Sequence, residues 1–445
     1  MNRRNSSAAR VFAALLLISL VGRGSLLLAV GSGGIANEVT SAEALGNPTS
    51  IAGTKTDPTV VYNNPAGIVD LGRLNASAGA NHFSFDAKRK GANGTSDSME
   101  TTNVIVPNFA AGVGVSDEIA FGIAFVSPYG LSTQWSDTSN VRYVATKSIL
   151  EMFDATPAIA VKVNDKVSIG LGADYFSTFA TDLQKKVPVD AINFALGFPT
   201  IGSPDANSRL SGDGNAWGYH AGALVHVNDS NTLGVAYHSE VKTKIEGDLE
   251  LTGLSGASAV VFGGTNFKTR ARTDLFYPQN IQFGYKYNQG TKWEAGVNLA
   301  WYDWSSNKQL EIQLPDATPT QRAIAGQPVP LHWRDVWSAT VGGFYQFTDA
   351  FKVNLGAYYL PSVYPESTFS PAVPDLDKIG ISVGPCYAHG AWSIDAVYSP
   401  LFYRKTTINN NLGQNATGLP SADISGDYKA IVQVIGLNLK YKYGG

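Results

Sequence analysis

The chain has 445 residues, of which 44% are hydrophobic and only 16% are charged. Soluble domains usually carry about a quarter charged residues, and the 46 glycines and 20 tyrosines favour β-structure with many turns. The formal net charge of -3 gives no indication of nucleic-acid binding. A single cysteine, Cys386, excludes an internal disulfide framework.

The first 36 residues are typical of an export signal. Basic residues beginning at Arg3 precede the apolar run 11–21, and small residues follow it. Cleavage after Gly31 or after Ala36 fits this pattern. Arg23 divides the apolar stretch into pieces too short for a spanning helix of about 20 residues, so we favour a signal peptide over a membrane anchor. Its removal would take away four arginines and no acid, which changes the net charge from -3 to -7.

Residues 37–72 include the stretch YNNPAGIV and precede any strand-like pattern. Pro65 fixes φ and lacks a backbone donor, and Gly67 permits a tight turn. Asn63 and Asn64 can hydrogen-bond to nearby backbone. This combination predicts a rigid knob. The residues alone leave open whether the knob packs inside the fold that follows or is an ordinary exposed turn.

From about residue 73 the sequence alternates between apolar residues and small or polar ones. In VSIGLGADYFSTFA, Ile169 and Leu171 share one face with Tyr175, whereas Gly170 and Asp174 lie on the other. This period of two is the signature of a β-strand. The segments KWEAGVNLAWYDW, AWSIDAVYS and IVQVIGLNLKYKY repeat it.

Three features favour a membrane β-barrel over a soluble sandwich. The segments have about 10 residues or more, as tilted spanning strands need. Aromatic residues cluster at their ends, and very short connections alternate with long polar loops. The predicted short turns are polar or contain Gly, Asp or Asn, and lie at 116–118, 164–166, 228–231, 288–292, 348–350 and 389–391.

The connection pattern predicts an all-β fold, a transmembrane antiparallel barrel of about 14 strands that starts and ends on the periplasmic side. Three of the predicted strands are 155–164, 232–246 and 275–288. A barrel of this width is too wide for side chains alone to fill, so it either conducts water or holds a plug.

Several separate motifs resemble one known family. NNPAGIVDL resembles the Asn-Pro-Ala motif of the FadL family, the outer-membrane transporters of long-chain fatty acids and other hydrophobic compounds. EALGNPTSIAGTKTDPTVVYNNPAG is similar to the family's N-terminal region, and SPYGLSTQW followed by VRYVATKS is similar to its third external loop. PAIAVKVNDKVSIGLGADY and WYDWSS resemble later strands. The motifs follow the family's order over most of the mature chain.

The resemblance implies three parts: a signal peptide at 1–36, an N-terminal hatch at 37–72 that plugs the lumen, and a barrel at 73–445. It also implies that the hatch contacts a kink in the third strand, where a lateral hole lets the ligand leave into the membrane. The residues that match the hatch motif are Asn63, Asn64, Pro65, Ala66 and Gly67. Gly122 and Pro128 are the candidate kink residues, since both residue types interrupt strand pairing.

Two long external loops contain enough apolar residues to predict a ligand-binding groove. The motif SILEMFDA has helical spacing, with Ile149, Leu150 and Phe153 on one predicted face. The alternative is that the two loops pack on each other and cap the barrel. The candidate groove residues are Tyr129, Leu131, Trp135, Tyr143, Ile149, Leu150, Phe153, Ile192, Phe194, Leu196 and Phe198.

The sequence therefore predicts a passive transporter in the outer membrane of a Gram-negative bacterium, for long-chain fatty acids or, as the alternative, aromatic hydrocarbons. An aqueous porin and a phage receptor or adhesin role remain open. We expect no enzyme, because a catalytic triad needs a nucleophile with a His and an acid or amide nearby, and His220, His226 and His238 are more typical of lumen or interface positions. We expect no metal site and no cofactor, because the six histidines show no ligand spacing. The expected partners are a hydrophobic ligand, outer-membrane lipid or lipopolysaccharide and the barrel-assembly machinery, with no nucleic acid. By resemblance the protein is a monomer.

Overall fold

The computed structural model describes residues 34–37, 39–91, 94–199, 202–289, 292–410 and 424–444. The predicted signal peptide lies almost entirely outside these described residues. Within them, no helix is both long and apolar enough to cross a membrane.

The described residues form a closed antiparallel barrel of fourteen strands, as the connection pattern predicted. Strand β7 has two segments because Ser239 and Glu240 interrupt it, and β8 has two segments because Pro278 and Gln279 do. The strands are β1 Leu74–Lys90, β2 Thr102–Gly114, β3 Ile119–Val126, β4 Lys147–Lys162, β5 Val167–Val187, β6 Ala206–Asn228, β7 Asn231–His238 and Val241–Thr252, β8 Asn266–Tyr277 and Asn280–Gln289, β9 Trp293–Tyr302, β10 Val336–Thr348, β11 Phe351–Leu360, β12 Lys378–His389, β13 Trp392–Tyr403 and β14 Gly426–Tyr443.

The barrel closes by pairing β1 with β14 over their full lengths, from Leu74 opposite Tyr443 to Lys90 opposite Asp427. Closure leaves neither the first nor the last strand with a free edge, which a barrel in hydrocarbon requires. The six predicted short turns all connect consecutive strands at one end of the barrel.

The outward face of the strands is apolar. In β12, for example, Ile379, Ile381 and Val383 are exposed, whereas the residues between them are buried. Exposed aromatic residues mark both ends of this apolar belt. They include Trp217, Tyr219 and Trp337 near the long loops, and Tyr345, Phe347, Tyr387 and Tyr443 near the short turns.

Strands β4 to β8 extend well beyond their predicted ends on the long-loop side. Their extensions carry ion pairs on the outer face, such as Arg209–Asp182 at 2.9 Å and Lys268–Glu250 at 2.8 Å. Both faces of an extension outside the membrane can be polar, so the alternation that marks a spanning strand fades there. The sequence pattern therefore made these strands too short at their long-loop ends.

The predicted helical spacing of SILEMFDA was wrong, because residues 147–154 are the first part of β4. In a strand, Ile149 and Phe153 share one face and Leu150 lies on the other, and Leu150 is the buried one of the three. A short apolar run fits either period. Full pairing with β5 resolves the ambiguity in favour of a strand.

Residues 39–72, which we call the inner segment, lie inside the barrel. It contains the helices α1 Ala42–Gly46 and α2 Val60–Asn63, and the 3₁₀ turns Ser50–Ala52 and Pro65–Leu71. The longer loops hold the helices α3 Val189–Ala195, α4 Ala257–Phe262 and α5 Pro319–Ala325, and the 3₁₀ turns Trp304–Ser306 and Glu366–Thr368. They also hold the short strands Ser96–Ser98, Leu131–Gln134, Gln309–Leu310, Val329–Pro330 and Thr406–Ile408.

Wall glycines give the inner segment its space. At Gly234 an added Cβ would lie 1.9 Å from the carbonyl oxygen of Ile51, and at Gly222 it would lie 2.0 Å from Asn64 Oδ1. Eleven strands, from β14 round to β2, place a glycine beside the segment, although at Gly436, Gly384, Gly356 and Gly296 a wall atom lies nearer still to an added Cβ. These glycines are Gly436, Gly384, Gly356, Gly342, Gly296, Gly284, Gly234, Gly222, Gly170, Gly122 and Gly112.

Candidate functional site

The wall has a break in strand pairing between β2 and β3. Residues Phe109–Gly114 of β2 pair with β3, but the part of β2 from 103 to 108 pairs only with β1. β3 ends at Val126, and the next residues turn away from the wall. Pairing resumes further along, where Leu131–Gln134 pairs with β4 and Thr102 Oγ1 donates to the Ser132 carbonyl at 3.2 Å. The break is therefore bounded at both ends, by the β2–β3 pairing that begins at Phe109 and by the contact between Thr102 and Ser132.

Of the two candidate kink residues, Pro128 lies within this break and Gly122 does not. Gly122 pairs with Gly112 on one side and Ala158 on the other, so the sheet is continuous there. Its missing side chain instead makes room for Val61 of the inner segment, because an added Cβ would lie 2.3 Å from Val61 Cγ2.

The first described residues pair with the bent section from inside. Ala36 forms a bridge with Tyr129, Asn37 N donates to the Pro128 carbonyl at 2.6 Å, and Gly130 N donates to the Ile35 carbonyl at 2.8 Å. These bonds satisfy backbone groups that the wall leaves unpaired.

An apolar cluster lies directly inside the break. Tyr129 is its centre, with its ring 4.7 Å from that of Tyr277 and 6.1 Å from that of Phe176. The cluster continues across the lumen through Trp304, whose ring lies 5.1 Å from that of Trp333. We call this group the inner apolar cluster, and its buried members include Ile35, Tyr129, Leu131, Leu150, Phe176, Tyr277, Trp304 and Trp333.

The structure divides the predicted groove residues into separate groups. Tyr129, Leu131 and Leu150 belong to the inner apolar cluster rather than to an outer surface. Trp135 is buried in a second lumen cluster, on which Tyr143 packs. Ile149 and Phe153 are half-buried on the other face of β4.

The remaining four candidates lie in or next to α3, in the loop between β5 and β6. Ile192 and Leu196 are half-buried, whereas Phe194 and Phe198 are each 54% exposed. This loop therefore presents two apolar rings at its surface.

The predicted hatch motif is buried and joins the inner segment to the wall. Asn64 caps the turn that begins at Pro65, since its Oδ1 accepts from Ala66 N at 3.2 Å. Its Nδ2 donates to the Ile51 carbonyl at 2.7 Å. Asn63 bonds to Thr40, and Gly67 lies against Val60, where an added Cβ would be 2.6 Å from Val60 Cγ2.

A buried ion cluster, which the sequence did not predict, also holds the inner segment. Glu43 of α1 contacts Lys352 of β11 at 2.7 Å and forms an ion pair with Lys440 of β14. Lys440 also pairs with Asp395 of β13 at 2.5 Å. Burial alone would raise the pKa of Glu43, but Lys352 and Lys440 together hold the pKa well below its usual range.

The sequence carried a weak signal for this cluster. Lys352 and Lys440 occupy inward positions of alternating strands, where a charged residue needs a partner inside the barrel. The sequence does not indicate which acidic residue is the partner of these lysines.

A closed barrel with an apolar outer belt, aromatic residues at both of its edges and a chain segment folded into its lumen defines an outer-membrane barrel of the transporter type. The family model described as outer membrane protein transport protein (OMPP1/FadL/TodX) matches residues 28–443. The chain belongs to this family, and it is accordingly an outer-membrane transport protein.

Known proteins agree with this assignment. The long-chain fatty acid transport protein of Escherichia coli strain K12 is 26% identical over 379 residues, which cover 78% of this chain and 83% of that protein. The crystal structure of a Pseudomonas aeruginosa FadL homologue has a TM-score of 0.81 at 22% identity and covers 92% of this chain and 100% of its own. The Pseudomonas putida toluene transporter TodX has a TM-score of 0.69 at 14% identity, over 92% of this chain and 99% of its own. The two structures share the fold.

Proposed function

We propose that this protein is a passive carrier of hydrophobic small molecules, which leave the lumen sideways through the break between β2 and β3. Long-chain fatty acids are the proposed cargo, and monoaromatic hydrocarbons are the alternative. The observation that carries the proposal is the position of the inner apolar cluster directly behind a break in the wall.

The energetics favour such a route over an aqueous pore. Transfer of a bound alkyl chain into water costs about 0.8 kcal/mol per CH₂, so a long chain would not leave an apolar site for the periplasm at a useful rate. Capture at Phe194 and Phe198, passage over Tyr129 and exit into the bilayer keep the cargo out of water. The inner segment acts as the hatch, and it shifts only if cargo binds one of its positions better than the other.

The lateral exit is tested by Ser127→Arg. Ser127 lies in the unpaired section, is 7% exposed, and its carbonyl accepts from Asn37 Nδ2 at 3.0 Å. An arginine there would fill the break and place a charge on an apolar path. We expect uptake of radiolabelled oleate, in cells that lack their own carrier, to fall at least tenfold.

The matched control is Ser136→Arg, the same change at an exposed loop position. Both variants are first checked for heat-modifiable migration, which reports a folded barrel. Undiminished uptake by folded Ser127→Arg would rule out the lateral route.

The cargo is tested by binding to the folded barrel in detergent. A long-chain fatty acid is compared with the alcohol of the same chain length and with toluene. Tighter binding of the acid than of the alcohol identifies a fatty-acid carrier, and preference for toluene identifies a hydrocarbon carrier. If none of the three binds, the carrier proposal fails and an aqueous porin becomes the better hypothesis, which planar-bilayer conductance would then show.

A further inference from the structure

Two histidines and an aspartate meet inside the barrel on three consecutive strands, and a second buried aspartate lies on the strand before them. Asp154 lies on β4, Asp174 on β5, His220 on β6 and His238 on β7. The register places His220 directly opposite His238 on one side and Gly172 on the other. Gly172 provides the space for the imidazole of His220, because an added Cβ would lie 2.0 Å from its Cε1.

The side chains form a compact buried group. His220 Nδ1 lies 2.6 Å from Asp174 Oδ1, and its Nε2 lies 2.9 Å from the Val61 carbonyl oxygen of the inner segment. The rings of His220 and His238 stack with their centroids 5.1 Å apart. One potential ligand atom from each of Asp174, His220 and His238 lies within 4.8 Å of the other two.

Two members of the group lack side-chain partners among the residues that the structure describes. His238 Nε2 makes no hydrogen bond, and neither carboxylate oxygen of Asp154 meets a side-chain donor. Asp154 is fully buried and His238 is 6% exposed. A buried carboxylate with no side-chain donor and no opposite charge beside it is strongly unfavourable, and a cation bound in the same place would compensate it.

We propose that Asp174, His220 and His238 bind one divalent transition-metal ion, with Asp154 as a second negative charge nearby. Two imidazoles with carboxylates suit Zn²⁺, Ni²⁺ or Cu²⁺ rather than Mg²⁺ or Ca²⁺, which prefer oxygen ligands alone. Ligands about 2.0–2.1 Å from a tetrahedral ion lie about 3.4 Å from one another, so the atoms must approach by at most about 1.4 Å. Binding of the ion by His220 Nδ1 would replace the hydrogen bond between that atom and Asp174 Oδ1, whereas Nε2–H keeps its bond to the Val61 carbonyl oxygen.

The position of the site connects the metal to the inner segment. Val61 contacts His220 directly, and the ring of Tyr62 lies 4.6 Å from that of His238. A metal bound here would link the three wall strands β5, β6 and β7 at the place where α2 contacts them. This role is separate from the binding of cargo.

The test uses the full-length barrel, folded in detergent, stripped with a chelator and then dialysed against Zn²⁺ alone. We expect one tightly held zinc per chain by mass spectrometry of the metal, and a zinc X-ray absorption spectrum with nitrogen and oxygen neighbours at about 2.0 Å. Zinc well below one equivalent per chain, in a barrel shown to be folded, would overturn the proposal.

Variants assign the ligands. His238→Ala and Asp174→Asn should each weaken zinc binding at least tenfold. His226→Ala, a partly exposed histidine on the same strand as His220, should leave the affinity unchanged.

Asp154→Asn has almost the same shape and serves if the other variants fail to fold. It should weaken binding severalfold, because the second carboxylate is lost. Zinc affinity that stays at the parent value in folded Asp174→Asn, His238→Ala or Asp154→Asn would show that the ion binds elsewhere and would refute the site.

Discussion

Replacement of Glu43 by glutamine should release the inner segment from the wall. Glu43 contacts two lysines, Lys352 at 2.7 Å and Lys440, and also accepts from Thr56 Oγ1 at 2.5 Å. Its side chain is 7% exposed, and those of the lysines are 10% and 4% exposed. Glutamine keeps the shape but leaves two buried ammonium groups with less compensation.

Removal of one partner from a buried ion pair typically costs about 3–5 kcal/mol. Lys440 retains Asp395, so we expect the lower end, about 3 kcal/mol, which is roughly a hundredfold in the equilibrium between the seated and the displaced segment. Thr56 can still donate to the amide oxygen, which also favours the lower value.

The assay is ion conductance in a planar bilayer, because a displaced inner segment opens the lumen to water. Parent protein should show rare openings, and Glu43→Gln should raise the open fraction by about a hundredfold. The control is Glu118→Gln, the same change in an exposed short turn. If folded Glu43→Gln conducts as rarely as the parent, the ion cluster does not hold the segment and the reasoning is refuted.

Three further outcomes are expected. Lowering the pH from 7 to 5 should leave the conductance of the parent protein unchanged. The pKa of Glu43 is depressed in the folded state, so the stabilisation from this carboxylate is fully present above its ordinary pKa of about 4.3 and is lost only as the pH falls through the lower folded value. Openings that begin near pH 5 would contradict this. Gly234→Ala should destabilise the seated position of the inner segment by about 1–3 kcal/mol, because the new Cβ would meet the Ile51 carbonyl. The control is Gly380→Ala, where the new Cβ meets only wall side chains. Faster hydrogen exchange at residues 50–52 in Gly234→Ala alone would confirm the prediction. N-terminal sequencing of the mature protein should place cleavage after Gly31 rather than after Ala36. Ile35 is 3% exposed and its carbonyl accepts from Gly130 N, so cleavage after Ala36 would remove a residue that packs inside the barrel. A mature chain that starts at Asn37 would contradict this prediction.

The barrel could be predicted from the sequence because the membrane imposes a simple rule on each strand. Residues such as Ile379, Ile381 and Val383 must face lipid at every second position, and short turns such as 389–391 must lie at one end. The rule depends on nothing outside each strand. It weakens where the strands leave the membrane, and there the ends of β4 to β8 were misplaced.

The interior is harder to predict because it depends on contacts between distant parts of the chain. Tyr129 and Leu131 were predicted as outer groove residues, yet the turn after Val126 directs them into the lumen. Nothing local marks that turn apart from Pro128. Likewise, Asp174, His220 and His238 have no metal spacing in the sequence, and only the register of three strands brings them within 4.8 Å.

The wall glycines are the sequence feature that comes closest to revealing the interior. Each sits at an inward position of a strand that is otherwise regular, where a small residue gains nothing in a water-filled channel and weakens the strand. A glycine in eleven of fourteen strands therefore implies that something solid occupies the lumen at that level. The path of the inner segment accounts for Gly234, Gly222, Gly170 and Gly112, where the atoms nearest to an added Cβ all belong to that segment. A porin leaves these four glycines unexplained, because without the segment nothing at those distances would exclude alanine.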